Sequence, residues 1–162
     1  MFKALWDADA PLHQVLPSLY AANGERYAGA TIRSVCREMH AFYRSRDIKG
    51  LQRKCFRAES FPELAMLPQD AYRALVGNEV DYLPLDQCKG RVAATLALIY
   101  PPGIGVVVPG ERWDERAQPM LDYLHAFEES FNRFPGFNYE VQGVFQERED
   151  GRIRFYTYAV RE

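Results

Sequence analysis

The chain has 162 residues, 48% hydrophobic and 26% charged, with a formal net charge of −2 from 20 basic and 22 acidic side chains. That balance describes one ordinary globular domain large enough to bury a core. It carries no basic stripe suited to nucleic acid, and no apolar run approaches the ~18 residues of a membrane span.

The opening "MFKALWDADAPLHQ" places acidic residues where an export signal would need its apolar core. Three widely spaced cysteines, Cys36, Cys55 and Cys88, fit reduced thiols in a cytoplasmic protein, and no C-x-x-C pair suggests zinc. Residues 1–29 are mixed, a short apolar piece followed by turn-forming Asn23-Gly24, and read as a segment leading from something upstream. From Ala30 to about Arg46 the pattern is helical. Ile32, Val35, Cys36, Met39, Phe42 and Tyr43 lay one apolar stripe, which Asp47 and Gly50 break.

Pro68 starts a short helix that runs to about Val76 and stops at Gly77. "EVDYLPL" reads as a strand that Pro84 places at an edge. "RVAATLALIY" is ambiguous between helix and strand, with its end extended before two prolines. "IGVVVPG" reads as a buried strand. The clearest helix runs from about Asp114, its N-cap, to Arg133. Its core stripe is Ala117, Met120, Leu121, Leu124, Phe127, Phe131 and Phe134, and Pro135-Gly136 ends it. The run from Asn138 to Val160 reads as a C-terminal hairpin turning at Asp150-Gly151. The fold class is therefore α+β: a small mixed domain with helices packed on short, partly antiparallel strands.

Chemistry is scarce. His125 with Glu128 and Glu129 sits one helical turn apart, a spacing far commoner on solvated helix faces than at metals. No serine lies in a G-x-S-x-G context and no phosphate loop is present. Of the lysines 3, 49, 54 and 89, Lys89 is the least unsuitable for a Schiff base, and a surface turn is the plainer reading. No catalytic, cofactor-binding or metal-ligating residue is assigned.

What stands out is "YPPGIGVVVPGERW". Pro101 and Pro102 fix φ and remove two backbone donors, Gly103 and Gly105 permit positive φ or close approach, and Pro109-Gly110 makes a stiff exit toward Glu111 and Trp113. Two readings stand: a turn that organises the core, or a preorganised rim that meets another domain or a ligand channel.

"GRVAATLALIYPPGIGVVVPGERW" resembles the signature of the C-terminal domain of the bacterial pyridoxal-phosphate-dependent ornithine/lysine/arginine decarboxylases. "FPELAMLPQDAY" is similar to the start of that domain, and "MLDYLHAFEESFNRFPGFNYEVQGVF" to its long helix, Pro-Gly-Phe stop and final hairpin. Ile99 and Gly105 stand where the family often has proline. The resemblance implies residues 51–162 as this domain, preceded over 1–50 by a helical or linker segment leading from a catalytic domain. It implies pyridoxal phosphate (PLP) on that catalytic domain, in a Ser-x-His-Lys context missing here, and none in this chain. The implied partners are the catalytic domain and a dimer partner subunit, with no nucleic acid and no membrane. "VVVPGERW" and "EVQGVF" look most like the ornithine branch. Tyr100, Pro101, Pro102, Gly103, Glu111 and Trp113 become candidates for a substrate-channel or interdomain surface, with Tyr100, Glu111 and Trp113 expected to be partly exposed. Glu111 is either an attractor for a cationic side chain or a turn carboxylate. A free-standing binding module that reuses the fold is the competing reading.

Overall fold

The computed structural model describes residues 2–100 and 103–162, so Pro101 and Pro102 lie outside the described residues. Three short helices open the chain: α1 (Phe2–Asp7), α2 (Leu12–Val15) and α3 (Pro17–Ala22). They pack with α4 (Ile32–Ser45), where Leu12, Tyr27, Ile32 and Val35 form a small buried cluster. Thr31 caps α4 by accepting from the Ser34 amide, and Ser34 returns the bond to complete a capping box.

The break expected at Asp47 and Gly50 is instead the start of another helix, α5 (Ile48–Cys55). Asp47 turns left-handed, at φ 47°, and its carboxylate accepts from the Gly50 amide. The residue that stops one helix thereby caps the next. Helix α6 (Pro68–Val76) has the expected bounds, with proline in the first turn and Gly77 at its end. Asp114 caps a single tight turn, Glu115–Ala117, which leads into α7 (Gln118–Arg133). All seven residues of the expected stripe are buried.

The strands form two antiparallel sheets of three. One orders β1 (Val80–Pro84), β6 (Arg152–Val160) and β5 (Phe145–Glu149). In it, Pro84 sits on an edge strand and the β5–β6 hairpin closes at Asp150-Gly151 with Glu149 opposite Arg152. The other sheet orders β3 (Ile104–Val107), β2 (Ala97–Tyr100) and β4 (Glu140–Gln142).

Two expectations are corrected here. The run from Asn138 does not all belong to the hairpin: β4 pairs with β2, and the chain leaves for the other sheet at Gly143, φ +71°. Strand β3 is not fully buried either. It lies at a sheet edge, with Val106 and Val107 inward and Ile104 exposed.

Helix α7 covers the main core, where Trp113, Met120, Leu124, Phe131 and Phe155 are fully enclosed. Among the described residues no helix is long and apolar enough to cross a membrane.

Candidate functional site

The motif residues assemble around residues 110–113, which leave the Pro109-Gly110 turn and run between two other segments. On one side the Ala93 amide donates to the Glu111 carbonyl and the Trp113 amide to Arg91, both at 2.8 Å. On the other, the Ala65 amide donates to Gly110 and the Arg112 amide to Glu63, both at 2.9 Å. Residues 92–94 in turn join β6, through Val160 to Val92 at 2.8 Å and Ala94 to Tyr158 at 2.9 Å. Arg91 pins this junction: its guanidinium donates to Asp81 at 2.6 Å and to the Val160 carbonyl at 3.0 Å.

This ladder overturns one expectation. Trp113 is 0% exposed and stands in the main core, not at a rim. A segment bonded along both edges leaves its side chains only the two faces, and the indole takes the face covered by α7.

Gly110 is equally enclosed. Its φ is +90°, and a Cβ there would meet the Met66 carbonyl oxygen at 2.3 Å, so the Pro109-Gly110 turn is set against residues 66–67. Glu111 is half-buried, and its carboxylate accepts from the Val108 amide at 2.8 Å. Burial raises its pKa, the Val108 N–H lowers it, and the nearby Asp114 raises it further. That is the geometry of a turn carboxylate.

The β2–β3 connection differs. Tyr100 is 54% exposed and Ile104 53%, with Leu96 also open to solvent. Gly103 turns at φ +78°, and the Tyr100 ring folds back so closely that a Cβ on Gly103 would lie 2.8 Å from it. Gly105 makes room in the same way for Leu96, whose methyl would lie 2.6 Å from an added Cβ. Of the candidates among the described residues, then, Tyr100 and Gly103 border an open apolar tip, Glu111 supports the turn at the far end of β3, and Trp113 lies in the main core.

Elsewhere the candidate chemistry is committed to structure. His125 Nδ1 is 3.8 Å from Glu128, but Glu128 accepts from the Phe155 amide and Glu129 pairs with Arg46. Lys3, Lys49, Lys54 and Lys89 are all exposed, so none offers the desolvated amine that a pyridoxal Schiff base needs. The chain's own residues do not fit that cofactor. Nothing in the sequence pattern marks the partners of Arg91 and Gly110, at 81, 160 and 66.

Residues 49–161 match the family described as Orn/Lys/Arg decarboxylase, C-terminal domain. The inducible ornithine decarboxylase of Escherichia coli is 46% identical over 99% of this chain and 21% of its own length. Lysine decarboxylase LdcA of Pseudomonas aeruginosa is 41% identical over 96% of this chain and 20% of its own length. The solved structure of E. coli constitutive lysine decarboxylase superposes with a TM-score of 0.86 at 30% identity, covering 99% of this chain and 22% of that one. The chain thus spans about a fifth of the relatives it matches. With the family match running over residues 49–161 and the fold superposing on a solved relative, the chain belongs to the family of Orn/Lys/Arg decarboxylase C-terminal domains.

Proposed function

We propose that this chain serves as the C-terminal domain of a PLP-dependent decarboxylase that converts ornithine to a diamine, in cytoplasmic polyamine biosynthesis. Residues 51–162 are the domain proper, and residues 1–50 lead to it from a catalytic domain that holds the cofactor and its lysine. The observation that carries the reading is 46% identity to an ornithine decarboxylase along nearly the whole chain. Lysine is the competing substrate, since a lysine decarboxylase follows at 41%.

Within the oligomeric enzyme this domain packs on the catalytic domain and shapes the approach to the active site. The apolar tip of Tyr100, Gly103 and Ile104 supplies the contact. Pro101 and Pro102, with φ fixed by their rings, limit the entropy lost on docking. Glu111 braces the turn at the other end of β3, and Trp113 anchors the same ladder in the main core.

The test is carboxylate loss from ornithine, lysine and arginine by the intact decarboxylase carrying this sequence, alongside Tyr100→Ala and Ile104→Asp. Support is a preference for ornithine and a fall in kcat/KM in both variants with this domain still folded. A preference for lysine removes the substrate assignment, and unchanged kinetics in both variants removes the role of the tip.

A further inference from the structure

A cavity of about 460 Å3 opens between α4, α5, α7 and the β2–β4 pair, a size typical of small-molecule sites. It shares no lining residue with the apolar tip, and the inference from it does not depend on the interdomain role. Three aromatic rings wall it. Tyr139 meets Phe127 edge-on at 5.2 Å between ring centres, and Tyr43 lies 6.2 Å from each of them. The Tyr43 ring is fixed from behind, its hydroxyl 2.7 Å from the buried Ser130 hydroxyl. Such faces accept a flat aromatic body by stacking or edge contact.

The rim sets the charge of what enters. Arg44 and Lys49 line the mouth, and among the described residues neither makes an ion pair. His40 stands beside them. Among the described residues the one carboxylate lining the cavity is Asp47, which accepts from the Gly50 amide at 3.2 Å as the cap of α5. Arg44 and Lys49 against Asp47 leave the rim with a net positive charge, which favours an acid over an amine.

We infer that this cavity is a binding site for a planar aromatic anion, an aryl ring carrying a carboxylate or phosphate group. The ring lies against the faces that Tyr43, Phe127 and Tyr139 turn to the cavity, and the anionic group reaches out to Arg44 and Lys49. No bond is made or broken there; the site binds, and its position against α5 and α7 lets an occupant stiffen the packing of those helices.

Three probes share one ring and differ in charge: indole-3-acetate, 3-methylindole and tryptamine. Titrated into the 162-residue chain and followed by NMR, indole-3-acetate should shift the signals of Tyr43, Phe127 and Tyr139 saturably and bind at least about tenfold tighter than tryptamine. The double variant Arg44→Ala/Lys49→Ala, at two exposed positions, should erase that difference while leaving 3-methylindole unchanged. Gln52→Trp should fill the mouth and abolish binding of all three. Equal binding of acid and amine, shifts that map elsewhere, or no saturable shift below about 10 mM acid would overturn the inference.

Discussion

Gly143 offers the sharpest test of how the two sheets are joined. It is the residue at which the chain passes from β4 to β5, with φ at +71°. An added Cβ would lie 1.5 Å from the Leu96 carbonyl oxygen and 2.6 Å from its carbon. Its own carbonyl accepts from the hydroxyls of Thr157 at 2.8 Å and Thr95 at 3.1 Å. Gly143→Ala therefore incurs a left-handed backbone penalty of roughly 1–2 kcal/mol. Relieving the clash separates backbone from backbone and loosens both hydroxyl bonds, at about 1 kcal/mol each. The sum is about 3–4 kcal/mol, which in a domain of this size lowers Tm by roughly 6–16 °C. The control is Gly151→Ala, also at positive φ (+78°) but with nothing within 4 Å of the new methyl, so it bears the backbone penalty alone. Thermal melts followed by circular dichroism give both values. If the two variants melt within about 2 °C of each other, a difference worth less than 1 kcal/mol, the close approach of Gly143 to Leu96 is refuted.

Glu111 is expected to act through its bond to Val108, so Glu111→Ala should cost about 1 kcal/mol. Because burial holds its folded pKa above the unfolded value, ionisation works against the fold as pH rises through that raised pKa. Glu111→Gln should accordingly keep or raise Tm at pH 7, and an equal loss in Ala and Gln variants would refute the turn role. Glu38 behaves oppositely. A hydrogen bond from Arg26 lowers its pKa, burial opposes this, and Arg133 lowers it again, so its contribution is present above the unfolded value of about 4.3 and lost as pH falls through the lower folded one. Wild type should exceed Glu38→Gln in stability at pH 7, with the gap closing in acid; a gap independent of pH would contradict this. Finally, the 162-residue chain mixed with pyridoxal phosphate should form no borohydride-reducible adduct at a defined lysine. Stoichiometric labelling of Lys89 would sink that expectation.

Local signals carried the helices well. The 3–4 spacing from Met120 to Phe134, proline at 68 and the Asp150-Gly151 turn each depend on residues near in sequence, and each element stands where they put it. What escaped depended on distant partners. Asp47 looked like a breaker because only the left-handed turn reveals it as a cap for α5. The run at 140–142 carries the same alternation whichever strand it pairs with, and its partner, β2, lies about 40 residues upstream. Trp113 looked like a rim residue because nothing nearby announces that residues 63–65 and 91–93 flank it on both edges. The aromatic cavity draws on positions 43, 127 and 139, which no spacing rule connects.

If the β2–β3 tip meets a catalytic domain as proposed, Tyr100 reports on it directly. Its ring is 54% exposed in this chain, so hydroxyl-radical footprinting should oxidise it readily. In the proposed full-length enzyme carrying this sequence, Tyr100 and Ile104 should be strongly protected, with Tyr72 on α6, 61% exposed in this chain, as an internal reference. Oxidation of Tyr100 at the same rate in both proteins would contradict it.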